Sequence, residues 1–200
     1  MEKLVKETIS KSLKESIEVK ENIVKDEKLL DLISEVALKI VDAFKQDKKV
    51  LFCGNGGSAA DAQHIAAELS GRFYIDRAPL FAEALHVNTS YLTAVANDYS
   101  YDEIFSRLVK AKGRRGDILI GISTSGRSRN VIKALIQAKE IGMITVGMTG
   151  ADGSGMKQWC DYLIEVPSND TPRIQEAHIT IGHIICEIVE EKLFGELSNG

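Results

Sequence analysis

Proline is scarce in this chain of 200 residues, with 3 in all, and so are cysteine (3), tryptophan (1) and aromatic residues as a group (6%). Cys53, Cys160 and Cys186 are odd in number and lack the CxxC spacing, which excludes a disulfide framework, a cysteine metal site and a redox motif. They are expected to be reduced and mostly buried. With 44% hydrophobic and 27% charged residues, disordered and collagen-like classes are excluded too. No uncharged apolar run approaches membrane-spanning length, and Met1 to Glu7 is charged from its second residue with no apolar signal region. A cytoplasmic chain with no membrane partner is expected. Cationic surplus is also missing: 25 Lys+Arg against 29 Asp+Glu give a net charge of -4, which leaves no field to hold nucleic acid. The length suits a single domain, residues 1–200, that buries roughly 70% of its unfolded surface.

What is present falls into two textures. From Glu2 to about Asn22, apolar residues recur near every fourth position (Leu4, Val5, Ile9, Leu13, Ile17), and the run from Leu29 to Phe44 repeats the pattern more strongly. The spacing predicts a helical pair over residues 1–47, used in packing on the remainder or on a neighbouring subunit. Residues 48–200 alternate short apolar runs with helical patterns, each run stopped by Gly, Ser, Asn or Asp. Strands are expected at Val50–Cys53, Phe81–Val87, Ile118–Ile122, Ile144–Met148 and Tyr162–Val166. A long last helix is expected from about Pro172 to Leu193. Five strands alternating with helices imply a doubly wound α/β sandwich on a five-stranded parallel sheet with right-handed crossovers, flavodoxin-like in strand order.

Two strand ends carry chemistry. The first ends in Gly54-Asn55-Gly56-Gly57-Ser58, and the third in Ser123-Thr124-Ser125-Gly126-Arg127-Ser128. Glycines let a backbone approach an anion and leave the next helix's first N–H groups free to face it. Strand-to-helix turns are often Gly- and Ser-rich for turn chemistry alone. A strand order of 2-1-3-4-5, however, would place both loops at one switch-point crevice. The first loop is not GxGxxG, no acidic residue closes the second strand, and no P-loop lysine is present. A monophosphate held by hydroxyls and amides fits better than a nucleotide.

In the helix after Gly57, Asp61, His64 and Glu68 share one stripe at 100° per residue. A solvated face is the bland alternative; beside the loops, a partly desolvated carboxylate becomes a proton carrier whose pKa burial raises. The last helix is apolar around most of its circumference and is expected to be almost wholly buried, with Glu176, Thr180, His183, Glu187 and Glu190 on its remaining polar strip. His183 is therefore the better catalytic candidate, with His178 a core or interface histidine and His86 structural. His64 and Glu68, at i,i+4, could hold a divalent metal. Gln175 and His183 would complete a tetrahedral set, yet they lie about 12 Å apart along a straight helix. Either both side chains reach a point between them, or they serve sites in different subunits.

These motifs resemble those of the sugar isomerase (SIS) domain family, in particular its sedoheptulose 7-phosphate isomerase branch. The matching stretches are CGNGGSAADAQHIAAELSGRF (Cys53–Phe73), AVANDYSYDEIFSR (Ala94–Arg107), GDILIGISTSGRSRNVIKAL (Gly116–Leu135) and TPRIQEAHITIGHIICEIVE (Thr171–Glu190). The resemblance implies conversion of sedoheptulose 7-phosphate to D-glycero-D-manno-heptose 7-phosphate through an enediolate, the first step toward nucleotide-activated heptose for lipopolysaccharide or other surface glycans. It implies a phosphate held by Ser58, Ser123, Thr124, Ser125 and Ser128, with Asn55, Gly56, Gly57, Asn97, Asp98, Gln175 and Glu68 on the substrate. Glu68 and His183 would be the acid/base pair. One Zn²⁺ per subunit would be bound through His64, Glu68, Gln175 and His183, in a homotetramer with sites between subunits. Two competitors stand beside this reading: another SIS isomerase, such as one acting on a pentose phosphate, and a non-catalytic SIS scaffold binding a replication initiator.

Overall fold

The computed structural model describes residues 2–195. Helix α1 (Glu2–Lys25) breaks at Asp26, whose carboxylate accepts from the Leu29 amide at 3.1 Å and so caps α2 (Glu27–Lys45). Then come β1 (Val50–Gly54), α3 (Gly57–Ser70), β2 (Ala82–Ala84), α4 (Thr89–Asp98), a 3₁₀ turn (Tyr101–Glu103) and α5 (Ile104–Lys112). The chain continues with β3 (Ile118–Ile122), α6 (Arg129–Glu140), β4 (Ile144–Thr149), α7 (Ser154–Lys157), β5 (Tyr162–Glu165) and α8 (Thr171–Phe194).

All five strands are parallel, in the order β2-β1-β3-β4-β5, as the doubly wound reading requires. Alternation along the strands divides the core. Val50, Phe52, Ile118, Ile120 and Ile122 pack with α2, α3 and α8, while Leu51, Cys53 and Leu119 face α4, α5 and α6. Because both faces are covered, β1 and β3 are buried along their whole length, which explains their uninterrupted apolar sequences. The three cysteines are free, with Cys53 and Cys186 buried and Cys160 partly so.

Two expectations are corrected. The second strand was expected over Phe81–Val87, but only Ala82–Ala84 pair with β1. This edge strand has one neighbour, and its chain turns away toward α4 after the Leu85 amide has bonded to the Phe52 oxygen at 2.9 Å. Helix α8 was expected to be almost wholly buried. Instead one face, with Ile174, Ala177, Ile181 and Ile185, enters the core, and Ile184 on another is 41% exposed. That free face joins α1 and α2 in an apolar groove of about 450 Å³ lined by Ile23, Val24, Leu30 and Ile188. Helix α1 likewise buries only Val19 and Ile23 and leaves Leu4, Val5, Ile9, Leu13 and Ile17 exposed. Among the described residues, no helix is long and apolar enough to cross a membrane.

Candidate active site at the carboxyl ends of β1 and β3

Strands β1 and β3 are neighbours, so both expected loops do emerge side by side at the switch point. Gly56 stands at the N-cap of α3 with φ +56°, a conformation L side chains rarely adopt, and an added Cβ there would meet nothing within 4 Å. The glycine is required by the turn, and the space before it is open. The N-cap residues of α3 and α6 make no side-chain cap; the Ser58 and Ala59 amides donate to the Asn55 and Gly56 carbonyls and the Val131 amide to the Asn130 side chain, which leaves the amides of Gly57, Arg129 and Asn130 for an anion. Ser128, at the α6 N-cap, instead shares a 2.9 Å hydroxyl hydrogen bond with Ser123, while Ser125 accepts from the Arg127 amide at 3.3 Å. Ser58 and Ser123 are buried and Thr124 is half-buried.

Asn55 is held more tightly than its sequence suggested. Its amide exchanges two hydrogen bonds with Asn130, at 2.9 and 2.8 Å, and its oxygen also accepts from the Tyr101 hydroxyl at 3.1 Å. One N–H of Asn55 is left for a ligand. Asn97 donates to Asp98 at 2.9 Å on the last turn of α4, and both side chains are exposed.

Helices α3 and α8 run in the same direction and touch along their length. Gly182 makes the contact close: a Cβ there would collide with Ile65. This register brings His64 and His183 together, Nε2 to Nε2 at 2.9 Å, with Glu68 Oε1 3.3 Å from His64 Nε2. The ligand atoms of His64, Glu68 and His183 all lie within 4.8 Å of one another. Two ring nitrogens so close require one to donate and the other to accept, or both to face a cation. Glu68 keeps 24% of its side chain exposed and His64 50%, so the cluster opens on solvent. On the same stripe, burial pushes the Asp61 carboxyl up to about 6, against the opposing pull of His64.

Gln175 is placed elsewhere. Its amide lies over Gly57, where any Cβ would strike it, so it meets the first turn of α3. His64 is seven residues further on, about 10 Å along the helix axis. His178 is fully buried, its Nε2 3.2 Å from the Thr149 carbonyl oxygen, and burial lowers its pKa to about 4. It is a neutral core histidine, as its place on the apolar side indicated. His86 is half-buried and its pKa is lowered, again by burial.

Several supporting residues gave no signal in the sequence. Phe73 stacks on His183, with ring centroids 5.8 Å apart and planes at 29°. Asn130 and Tyr101 lock Asn55. Glu190, expected on a polar strip, is 2% exposed and bound to Arg77. A charged residue among Ile188, Val189 and Leu193 was the one available hint.

Residues 13–150 match the SIS domain family. The chain is 56% identical to phosphoheptose isomerase of Clostridium acetobutylicum over 192 residues, covering 96% of this chain and 98% of that one. The solved phosphoheptose isomerase of Neisseria gonorrhoeae superposes with a TM-score of 0.87 at 42% identity, over 94% of this chain and 99% of that one. The Francisella tularensis structure of the same description gives 0.88 at 34% identity, over 92% and 97%. With its switch-point crevice, its parallel five-stranded sheet and this extent of identity, the chain belongs to the SIS domain family, among the phosphoheptose isomerases.

Proposed function

We propose that the chain is an aldose–ketose isomerase that converts sedoheptulose 7-phosphate to D-glycero-D-manno-heptose 7-phosphate, feeding nucleotide-activated heptose for lipopolysaccharide or another surface glycan. One observation carries the chemistry: Glu68 and His183, 115 positions apart in the sequence, meet within one 4.8 Å cluster. The heptose is supported by the names of the relatives.

The phosphate is held by Ser58, Ser123, Thr124, Ser125 and Ser128 together with the uncapped first turns of α3 and α6. Asn55, Gly56, Gly57, Asn97, Asp98 and Gln175 position the open-chain sugar, with the reacting end toward Glu68 and His183. The ketose loses a C1 proton, becomes a cis-enediolate and is protonated at C2. One of the two groups moves the carbon-bound proton from C1 to C2, and the other moves the hydroxyl proton from O1 to O2. Both tasks need a proton carrier within reach of adjacent carbons, which a paired carboxylate and imidazole supply.

Two imidazole nitrogens and a carboxylate oxygen at this spacing suit Zn²⁺, and His64, Glu68 and His183 would hold one ion per subunit. When bound, the metal supplies positive charge against the enediolate oxygens. Gln175 joins the set only by turning its side chain away from Gly57, or at the site of another subunit. Residues 1–200 are read as one SIS domain. The apolar faces left exposed on α1 and α8 support a homotetramer, and reduced cysteines agree with a cytoplasmic setting.

The test is incubation of the purified protein with sedoheptulose 7-phosphate and, in parallel, pentose ketose phosphates, with the aldose followed by NMR. Heptose 7-phosphate from the first alone is the expected result. Turnover of a pentose phosphate alone points to another SIS isomerase, and no turnover at all to a non-catalytic scaffold. For the metal, zinc content and calorimetric Zn²⁺ binding of the wild type and His64→Ala are compared; unchanged activity in metal-free protein removes the ion from the reaction.

A further inference from the structure

We infer that the buried Arg77–Glu190 ion pair is a positioning device for the acid/base pair, holding Glu68 through its backbone and His183 through Phe73. The inference rests on the isomerase reading above and names residues that act through others, without touching substrate.

The pair is fully enclosed: the Arg77 side chain is 0% exposed and that of Glu190 2%. Glu190 Oε1 accepts from Arg77 Nε at 3.0 Å and from the Phe73 amide at 3.2 Å, while Oε2 accepts from the Tyr74 and Ile75 amides at 2.6 and 2.9 Å. Three consecutive backbone N–H groups therefore end on one carboxylate. Burial raises its proton affinity, but the three amides and Arg77 more than offset this and hold it ionised, below the usual glutamate range. From the other side Arg77 donates to the last carbonyls of α3. Nη2 reaches the Glu68 oxygen at 3.0 Å, and Nη1 the Leu69 and Gly71 oxygens at 2.9 and 3.1 Å. A guanidinium is a natural cap for a helix end, where carbonyls lack intrahelical partners; the Leu69 oxygen also accepts from the Leu80 amide at 3.2 Å, and Nη1 lies 3.2 Å from the Ala78 oxygen as well.

The connectivity gives the pair its meaning. Glu190 sits seven residues after His183, two turns along one face of α8, and Glu68 lies in the last turn of α3. Loop residues 71–78 are strung between the two helices, and the loop's one ring in contact with the site is Phe73, stacked on His183. A buried ion pair is a poor source of stability, because desolvation offsets most of the Coulomb gain and apolar replacements often do as well. What an apolar pair cannot do is gather three amides and three carbonyls into one geometry. Here those backbone groups belong to the residue that carries one proton and to the segment that packs on the other.

The experiment compares Glu190→Gln, Arg77→Lys and Phe73→Leu with Asp117→Asn, a buried ion-pair variant that contacts neither α3 nor α8 in its hydrogen bonds. Positioning requires that Glu190→Gln lower kcat by about 10- to 100-fold while KM stays within about threefold, since the phosphate loops are remote from the pair. Phe73→Leu, with the ion pair intact, is expected to lose about 3- to 10-fold in kcat, and Arg77→Lys fails to rescue because one ammonium cannot bridge the carboxylate and three carbonyls. Asp117→Asn lowers Tm without changing kcat. The His183 ring proton resonances, shifted by the Phe73 ring current, should move in Glu190→Gln as they do in Phe73→Leu. Wild-type kcat in folded Glu190→Gln and Phe73→Leu, with only Tm reduced, overturns the inference; should Glu190→Gln not fold, Phe73→Leu alone decides it. If the wild type turns over no sugar phosphate, the isomerase reading fails, and an unmoved His183 resonance in Glu190→Gln separately rejects the positioning role.

Discussion

The two ends of the sheet use similar polar chemistry to opposite effect. At the amino end, Asp117, 1% exposed, binds Lys49 Nζ at 2.6 Å, the Lys49 amide at 3.2 Å and the Arg114 amide at 2.7 Å. That carboxylate ties the starts of β1 and β3 together and keeps nothing for a ligand. At the carboxyl end, hydroxyls bond mainly to one another and the N-cap residues of α3 and α6 make no side-chain cap, while further along α3 and α8 a carboxylate and two imidazoles open on solvent. Saturated polar groups make structure, whereas groups satisfied only by their own kind wait for a guest.

Variants at the two ends should therefore separate activity from stability. The largest effect is expected for Glu68→Gln, which removes a proton carrier: kcat falls by about 10³-fold or more with sugar phosphate binding largely kept, measured by turnover and calorimetry. An active Glu68→Gln enzyme would end the assignment. At the closed end, Asp117→Asn leaves Lys49 facing a neutral amide and costs about 3 kcal/mol in denaturant unfolding, with kcat unchanged. Ser123→Ala returns to the open end and is expected to raise KM about tenfold, one hydroxyl bond to a charged phosphate, with little change in unfolding midpoint.

The smallest effect belongs to His178, buried against the last residue of β4. Burial holds its folded-state pKa at about 4, below the 6.5 of a free imidazole, so as pH falls the unfolded chain takes up this proton first. Stability is intact above pH 6.5 and is lost toward pH 4, by about 1 kcal/mol between pH 6.5 and 5.5. Unfolding of the wild type and of His178→Gln across that range checks it; the variant should lack this part of the slope.

The sequence disclosed most of this arrangement for identifiable reasons. Strands β1 and β3 are buried on both faces and so read as continuous apolar runs, and the glycines and hydroxyls at their ends are local signals. The stripe of Asp61, His64 and Glu68 follows from helical period alone. Edge strand β2 is shorter than its apolar pattern suggests because the pattern runs on through Val87, while the bonds to β1 end with the Leu85 amide on the Phe52 oxygen. The face of α8 left to solvent was hidden because an apolar surface reads alike whether it meets its own core or another chain. Phe73, Asn130 and Tyr101 gave no local signal, and the Arg77–Glu190 pair only a charge set among apolar residues, for a different cause: each owes its role to a contact across many tens of residues, which no local pattern encodes. The register of α3 on α8, with Gly182 against Ile65, places Gln175 over Gly57 and His183 beside His64.

The central claim is that two side chains, Glu68 and His183, carry protons between adjacent carbons at this site. It is tested most directly by running the wild-type reaction in D₂O and locating deuterium in the product by NMR. Solvent deuterium at C2 of the aldose is the expected result, because the carrier exchanges with water before it returns the proton. An aldose formed at full rate with only the original C1 hydrogen at C2, and the same outcome in Glu68→Gln, would contradict the account, since the hydrogen would then have moved without that carboxylate.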